Sequence, residues 1–392
     1  MEDAKSQRCN DATGREPTTT LRHCVLASNS RRSAQLPLPL EAPPRALPVL
    51  DERERGARFL ELPVRRVLNP PATTHMPFWS LNPYVGCEFG CSYCYARKTH
   101  EWVMERTEGR KHAKTTQGRN DAKPTQGRDD ATTTQGRKDA KTQAEEPIPD
   151  GDLASLRQGA FASFEHDILV KSAAPDVLLR TLEPERLAGA TLVIGTATDP
   201  YQPAERQFFL TRRLLEALLR HRGLSVGLIT KSPLVIRDLD VLTRLAERHE
   251  VSINISLASL DAGLLRRLEA RSPAPHARLR ALRRLTGAGL NAGLLIAPIL
   301  PGITDGWAAL AALMEAAKEA GACYVAGAAL RLGPAARTGF LPVLAREFPD
   351  LVARYERRYG RGQSAGKEYE HALERRLQAL REARDLAGRR MG

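Results

Sequence analysis

The sequence is poor in aromatic residues and has no long hydrophobic run. Aromatic side chains make up 5% of the 392 residues and hydrophobic residues of all kinds 42%, so the core must be mainly aliphatic. The best apolar stretch, residues 292–300, contains Pro298 and falls short of the ~20 residues that a membrane-spanning helix needs. The polar N-terminus lacks the apolar core of a signal peptide. We therefore expect a soluble cytoplasmic protein with no membrane partner.

Cysteine is scarce as well, and its distribution argues against a disulfide scaffold. Only six cysteines occur, and three of them, Cys87, Cys91 and Cys94, lie within eight residues. Small secreted proteins spread paired cysteines along a short chain, whereas a chain of this length can build its own core. We therefore expect reduced thiols in a reducing compartment.

Basic side chains are in excess. There are 59 Lys and Arg residues against 46 Asp and Glu, which gives a formal net charge of +13. Such an excess favours a polyanionic partner such as nucleic acid. Arginine is scattered along the chain rather than gathered into one stripe, so charge alone does not decide the partner. The sequence gives no sign of an oligomeric state.

Composition divides the chain into four parts. Residues 1–60 are rich in Arg, Pro, Ser and Thr without apolar periodicity, which predicts a disordered basic arm. Residues 61–335 form the predicted catalytic domain, interrupted by a low-complexity insertion at 105–150. The insertion contains the nonapeptides TEGRKHAKT, TQGRNDAKP, TQGRDDATT and TQGRKDAKT, which carry too few apolar side chains to stack as a solenoid. Residues 336–392 read as a charged helical extension.

The catalytic domain has the pattern of an α/β protein. Short β-branched runs alternate with leucine-rich stretches of helical period, which predicts parallel strands joined by crossover helices. The predicted strands are 191–195, 225–230, 251–257, 293–297 and 323–330. The predicted helices are 204–221, 235–248, 277–288 and 307–320. With one more strand before Cys87, the six units predict an incomplete (β/α)6 TIM-type barrel, whose chemistry lies at the carboxyl ends of the strands.

The cysteines lie in the motif NPYVGCEFGCSYCYAR, with the spacing C-x3-C-x2-C. Three thiolates on one loop can each bind one iron of a cubane cluster and leave the fourth iron open to a chelating ligand. Two alternatives remain open at this point. The three cysteines could bind zinc together with His100, or they could be buried without any ligand.

Six motifs, taken together, resemble the spore photoproduct lyase-like (DNA repair photolyase-like) branch of the radical S-adenosylmethionine (SAM) superfamily. They are NPYVGCEFGCSYCYAR, FEHDILVK, GTATDPYQPAE, LITKSPLVIRDLD, INISLASLD and GLLIAPILPGITD. The resemblance covers residues 68–104 and 164–387. It implies a [4Fe–4S] cluster and SAM as cofactors, with an electron donor such as flavodoxin or ferredoxin. Reductive cleavage of SAM would give a 5′-deoxyadenosyl radical that abstracts hydrogen, with lyase or repair chemistry on nucleic acid as the implied reaction class.

The resemblance also implies roles for side chains near the predicted strand ends. Cys87, Cys91 and Cys94 would hold the cluster, and Tyr93 would contact the adenine of SAM. Lys231 would reach the SAM carboxylate. The other implied SAM contacts are Thr196, Thr198, Asp199, Ser256 and Arg278.

Two features depart from the lyase pattern. Spore photoproduct lyases carry a further cysteine that returns a hydrogen atom to the product, but this chain has none between Cys94 and Cys323. Cys323 and Tyr95 are therefore the remaining catalytic candidates. Glu269-Ala270 stands where the relatives usually have Glu-Pro. The alternative function is a non-catalytic nucleic-acid-binding protein that holds a metal cluster or zinc.

Overall fold

A seven-stranded sheet forms the frame of the protein. The computed structural model describes residues 49–52, 56–104, 163–360 and 362–386. The nonapeptide repeats and residues 1–48 of the predicted arm, with Cys9 and Cys24, lie outside the described residues. The large sheet has the order β11-β10-β9-β8-β7-β4-β3. Its strands are β3 (Leu68–Asn69), β4 (Trp79–Leu81), β7 (Thr191–Ile194), β8 (Ser225–Thr230), β9 (Glu250–Ser256), β10 (Ala292–Ile299) and β11 (Val325–Ala329).

Six of these strands, from β4 to β11, are parallel, and only β3 pairs antiparallel, with β4. Sequential parallel strands require crossover connections, so the helices return the chain to the same starting edge each time. All six carboxyl ends therefore meet at one edge. No pairing joins β11 to β3 among the described residues, so the sheet is open and forms no closed barrel.

Eleven α-helices connect and flank the strands within the described ranges. They are α1 (Pro71–Thr74), α2 (Ala174–Thr181), α3 (Glu205–Phe208), α4 (Leu210–Leu218), α5 (Leu239–Ala246), α6 (Ala262–Leu268), α7 (Pro275–Gly287), α8 (Trp307–Glu319), α9 (Pro334–Glu347), α10 (Val352–Tyr359) and α11 (Lys367–Glu382). Residues 97–104 are also helical. None of the helices described is both long enough and apolar enough to cross a membrane.

The main core is aliphatic, as the scarcity of aromatic residues predicts. Leu214 and Leu218 of α4 and Leu242 of α5 pack against the sheet, where Leu228 and Ile253 are also buried. Burial of such side chains contributes about 1.5–3 kcal/mol each relative to exposure. The core therefore fixes the helices against the sheet and holds the six strand ends in place.

A second sheet of four short strands was not predicted. Its order is β1-β2-β6-β5, with β1 (Val49–Glu52), β2 (Arg58–Glu61), β5 (Tyr84–Val85) and β6 (Asp167–Val170). The prediction of a disordered arm up to residue 60 is wrong for β1 and β2, which pair with each other and, through β2, with β6. Strands of two to four residues are too short to show an alternating pattern in the sequence.

Two predicted helices are divided by local structure. The helix predicted at 204–221 is interrupted at Phe209, whose φ is 52°, a left-handed conformation. The first amides of α4 bond instead to the Glu205 carboxylate, with Thr211 N donating to Oε2 over 3.0 Å. The helix predicted at 235–248 begins as a 3₁₀-helix, Pro233–Asp238, and continues as α5. Side-chain bonding of this kind satisfies helix-end donors but leaves no periodic signal.

The C-terminal helices follow β11, and α11 packs closely onto the sheet. Helix α9 begins at Pro334, two residues before the predicted boundary, and α11 lies against β11. The contact is tight at Gly327, where a Cβ would lie 2.7 Å from Leu377 Cδ1. A side chain at that position would push α11 away from the strand.

We predict that Gly195→Ala destabilises the protein much more than Gly189→Ala. Both glycines have positive φ, 96° and 74°, so each alanine pays about 1–2 kcal/mol for the left-handed conformation. At Gly195 a Cβ would also lie 2.3 Å from Ile229 O, while at Gly189 nothing lies within 4 Å. We expect an additional loss of about 3 kcal/mol at Gly195. Urea unfolding measures both, and equal losses would contradict the close approach of β7 and β8.

Candidate functional site

The three clustered cysteines lie on one loop that follows β5. This cysteine loop, residues 86–94, starts at Gly86, whose φ is 90°. A Cβ there would lie 2.9 Å from both Phe164 O and Asp167 O. Cys87 N donates to Phe164 O over 3.0 Å. Gly86 therefore lets the loop leave the small sheet at close range and turn toward the large one.

The residues that follow β7 hold one side of the cysteine loop. Thr198 Oγ1 donates to Gly86 O over 2.7 Å, and Gln202 Nε2 donates to the same oxygen over 3.1 Å. Glu88 N donates to Gln202 Oε1 over 3.0 Å, and Ala204 N donates to Glu88 Oε2 over 2.7 Å. These bonds place the cysteines at the carboxyl end of β7.

A segment at residues 268–271 holds the other side of the loop. Ser92 N donates to Leu268 O over 2.9 Å, and Arg271 N donates to Phe89 O over 3.0 Å. Cys91 and Glu269 form an antiparallel β-bridge. Bonds from both directions satisfy the backbone of a buried loop, which otherwise carries a high cost. The 268–271 segment lies between α6 and α7.

The thiols themselves are reduced. Cys87, Cys91 and Cys94 form no disulfide; the first two are buried and Cys94 is partly exposed. Burial raises the pKa of Cys87 to about 12, and the negative charge of Asp199 adds to the shift. Burial also raises the pKa of Cys91, and the neighbouring thiols raise it further. The three sulfur atoms therefore lie within electrostatic range of one another.

Zinc does not suit this arrangement. Within the described ranges, no three His, Cys, Asp or Glu side chains come together in a way that could hold a metal ion. His100 turns away, with Nε2 3.0 Å from the backbone oxygen of Asp167 and its ring edge-on to Phe164. His100 is therefore not placed as a fourth ligand beside the three cysteines.

A cubane cluster would use the three cysteines without His100. Each thiolate would bind a different iron of such a cluster. Burial disfavours the thiolate forms of Cys87 and Cys91, and a cluster would supply positive charge that stabilises them. The chemistry of Cys87, Cys91 and Cys94 thus fits the group that the motif implies.

Asp199 ties the ends of β7 and β8 together. Its carboxylate accepts from Thr230 Oγ1 over 2.6 Å and from Lys231 N over 2.7 Å. It also accepts from Tyr201 N over 2.9 Å. Burial raises the pKa of Asp199, although these bonds oppose the shift. The Asp199 carboxylate therefore accepts most of its hydrogen bonds from groups within the protein.

Lys231 brings a positive charge to the cysteine loop. Its Nζ lies 5.9 Å from the centroid of the Tyr93 ring. Burial lowers the pKa of Lys231, but the negative charges of Cys91, Glu269 and Asp199 outweigh burial and keep it above its usual value. The side chain is only partly buried. Lys231 is therefore a charged ammonium near Cys91, and part of the residue is exposed to solvent.

The other predicted SAM contacts near β9 are used within the protein. Ser256 Oγ donates to Ala297 O over 3.0 Å. Arg278 is fully buried; its guanidinium donates to Pro273 O over 2.8 Å, to Ser256 O over 2.9 Å and to the Glu269 carboxylate. Arg278 thus pairs with a carboxylate of its own chain. Its contact to SAM stays a prediction.

Thr196 and Tyr95 meet at the same edge. Asn82 Nδ2 donates to Thr196 Oγ1 over 3.1 Å, and Ala197 N donates to Asn82 Oδ1 over 2.9 Å. The Tyr95 hydroxyl donates to Thr196 O, yet half of the Tyr95 side chain is exposed. Tyr95 therefore remains a catalytic candidate at the mouth of the site.

Cys323 lies elsewhere. It precedes β11, and its backbone nitrogen donates over 2.9 Å to the oxygen of Ala292, the first residue of β10. Since β10 and β11 are parallel, Cys323 is at the amino edge of the sheet, opposite the cysteine loop. This position contradicts its candidacy as a hydrogen donor.

Sequence reasoning missed three residues that shape the site. Gln202 and Asn82 support the loop and the β7 end, and Glu269 is buried against Tyr93 and Arg278. The only signal for Gln202 and Asn82 was their presence in the motifs GTATDPYQPAE and NPYVGCEFGCSYCYAR. Glu269 carried no signal for its bonds, because its partners are distant in sequence.

The architecture matches that of spore photoproduct lyase. One such structure, a mutant with dinucleoside spore photoproduct, matches with a TM-score of 0.52 and 13% identity over 83% of this chain and 79% of that chain. Another, a mutant with bound AdoMet and dinucleoside spore photoproduct, matches with a TM-score of 0.50 and 15% identity over the same shares. The resemblance inferred from the motifs is thereby confirmed at the level of the fold. The class is that of α/β proteins with the spore photoproduct lyase fold.

Sequence relatives define the family. Uncharacterized proteins of Mycobacterium tuberculosis and Mycobacterium bovis are each 30% identical over 335 residues, which is 85% of this chain and 83% of theirs. The chain belongs to the same family as these mycobacterial proteins. An uncharacterized protein of Methanocaldococcus jannaschii is 22% identical over 249 residues, 63% of this chain and 70% of that one. No protein-family model matches the chain.

We predict that Thr198→Val loosens the cysteine loop. The change keeps the shape of the side chain but removes the 2.7 Å bond to Gly86 O. A loss of about 1 kcal/mol would raise the native-state alkylation rate of Cys87 in the apoprotein ~5-fold. Mass spectrometry of each cysteine measures this rate.

Thr181→Val is the matched control, because Thr181 Oγ1 donates to Val177 O over the same 2.7 Å but within α2, away from the loop. We expect no change at Cys87 in that variant. Equal rates in the wild type and both variants would contradict the supporting role of Thr198.

Proposed function

We propose that this protein is a radical SAM enzyme that binds a [4Fe–4S] cluster through Cys87, Cys91 and Cys94. The observation that carries the proposal is the cysteine loop, with reduced thiols beside Lys231 at the carboxyl edge of the parallel strands. We interpret the open row of six parallel strands as the incomplete (β/α)6 barrel of this class. When bound, the cluster supplies the electron that cleaves SAM reductively to the 5′-deoxyadenosyl radical, which abstracts hydrogen.

We assign a different contact with bound SAM to each of three side chains. Lys231 is charged and partly exposed, so its ammonium is suited to the SAM carboxylate. The Tyr93 ring, which lies under Lys231, is suited to contact the adenine. Thr196, partly exposed beside Tyr95, is suited to a polar contact at the mouth.

Asp199, Thr198 and Ser256 have a different role in this proposal. Their polar atoms bond to the backbone and side chains around the strand ends. They hold the binding residues in place, and such positioning is a large part of what a protein contributes to cofactor chemistry.

We propose nucleic acid as the substrate class. The net charge of +13 favours a polyanion. Arg331, which follows β11, is exposed, and its positive charge acts on Tyr95 at the mouth of the site. Spore photoproduct lyase, which has the same fold, was solved with a dinucleoside photoproduct. Lyase or repair chemistry on a nucleic acid, with flavodoxin or ferredoxin as electron donor, is the reaction class that these observations favour.

We predict that Cys87→Ser, Cys91→Ser and Cys94→Ser each lose bound iron and SAM cleavage. Each change removes one of three thiolate ligands, and the remaining two cannot hold the cluster. Anaerobic reconstitution, iron and sulfide analysis, and 5′-deoxyadenosine release after reduction measure the effect. Cys323→Ser is the control and should retain both properties, because Cys323 lies at the opposite edge. A wild-type protein that takes up no iron under these conditions would overturn the proposal.

We also predict that Arg331→Ala weakens DNA binding. The affinity of the variant for DNA should also depend less steeply on salt concentration. Removing one phosphate contact should lower the slope of log affinity against log salt by ~0.9. Fluorescence anisotropy with labelled DNA at several salt concentrations gives the slope. Arg248→Ala is the control, since Arg248 is equally exposed but precedes β9 at the amino edge. Identical slopes for the two variants would exclude Arg331 from the substrate surface.

A further inference from the structure

Glu269 is a buried carboxylate that neither the motifs nor the comparisons assign a role. It is 1% exposed and lies in the 268–271 segment that pairs with the cysteine loop. Its Oε1 accepts a hydrogen bond from the Tyr93 hydroxyl. Its Oε2 accepts from Ser272 Oγ over 2.6 Å and from the Arg278 guanidinium. The carboxylate thus connects a residue of the loop to a fully buried cation.

Two positively charged side chains lie near Glu269. Arg278 has no exposed surface and pairs with Glu269, while its other bonds go to backbone oxygens and the Ser272 hydroxyl. Lys231 is the second cation, near both Glu269 and Cys91. Glu269 is therefore a buried carboxylate whose charge is paired with that of Arg278.

Two consequences follow from this position. The bond to the Tyr93 hydroxyl fixes the ring over which the Lys231 ammonium lies. Because Glu269 forms a β-bridge with Cys91, its negative charge also lies close to that thiol. A fixed negative charge near a cluster ligand disfavours an added electron, so it lowers the reduction potential.

We propose that Glu269 is a positioning residue that sets the orientation of Tyr93 and Lys231 and the electrostatic field at Cys91. The proposal rests on the assignment of the cysteine loop as the cluster site. It adds that the affinity for SAM and the potential of the cluster both depend on a carboxylate that touches neither group.

Glu269→Gln tests the charge while keeping the shape. The amide can still bond to Tyr93 and accept from Arg278, so packing is conserved. Without the negative charge, the midpoint potential of the reconstituted cluster should rise, as followed by a redox titration with electron paramagnetic resonance. Repulsion between Lys231 and Arg278 is no longer balanced, so the dissociation constant for SAM should rise ~10-fold. Glu269→Asp, which restores the charge, should bring the potential back toward that of the wild type.

Glu205→Gln is the matched control. Glu205 is also fully buried, accepts from a tyrosine hydroxyl (Tyr84, 2.5 Å) and pairs with an arginine (Arg237, 2.9 Å). It belongs to α3 and bonds to β5 rather than to the cysteine loop. Loss of the Glu205 charge should reduce the stability of the protein without changing the midpoint potential of the cluster or the affinity for SAM. The same potential and SAM affinity in wild type and Glu269→Gln would overturn the proposal and leave the cluster assignment intact.

The apoprotein gives an independent measurement. Glu269→Ala frees Tyr93, so the native-state alkylation rate of the neighbouring Cys94 should rise ~10-fold when about 1.4 kcal/mol of local stability is lost. Glu205→Ala should leave that rate unchanged. If the wild type takes up no iron, the assigned function fails while this readout still decides whether Glu269 positions the loop. Unchanged alkylation in Glu269→Ala would show that it does not.

Discussion

The structure depends on keeping a loop with three thiols buried at the edge of a parallel sheet. A buried loop cannot leave its amide and carbonyl groups without partners, because each one would cost about 1–3 kcal/mol. The chain meets this requirement from two directions, through Thr198 and Gln202 on one side and the 268–271 segment on the other. The cysteine loop is therefore fixed to parts of the chain more than a hundred residues away, and it moves only if they do.

Buried charges add a second constraint. Glu269 pairs with Arg278 near the loop, and Glu205 pairs with Arg237 farther out. Buried ion pairs contribute little net stability, since the cost of removing both charges from water offsets most of their attraction. Removing one partner is nonetheless costly, because the other charge is left uncompensated. Such pairs are thus better at defining where side chains lie than at stabilising the fold.

Much of the sheet could be predicted from the sequence. The strand predicted at 225–230 coincides with β8, and the strands predicted around β7, β9, β10 and β11 are within a few residues of their bounds. These strands are continuous apolar runs separated by periodic helices, so the signal is local. The small sheet could not be predicted, since β5 and β6 pair across a separation of more than eighty residues. The break at Phe209 was hidden for a similar reason, because the Glu205 side chain that bonds to α4 looks like any helical glutamate.

The site, like the fold, could be predicted from the sequence only in part. Sequence placed Asp199, Lys231 and Ser256 correctly at strand ends, since the period of the α/β pattern determines where strands end. It could not tell which polar atoms would be used inside the protein, because Thr230 bonds to Asp199 and Ala297 to Ser256 only once the strands are neighbours. Arg278 is the clearest case, with a guanidinium saturated by its own chain.

Saturation of these side chains also explains how the site can recognise a ligand. An atom that already has its hydrogen bonds offers a ligand little, because a new contact must replace an existing one. Lys231 and Arg331 differ, since they are partly or largely exposed at the carboxyl edge. The carboxyl edge thus combines polar groups that bond within the protein with basic groups that face solvent.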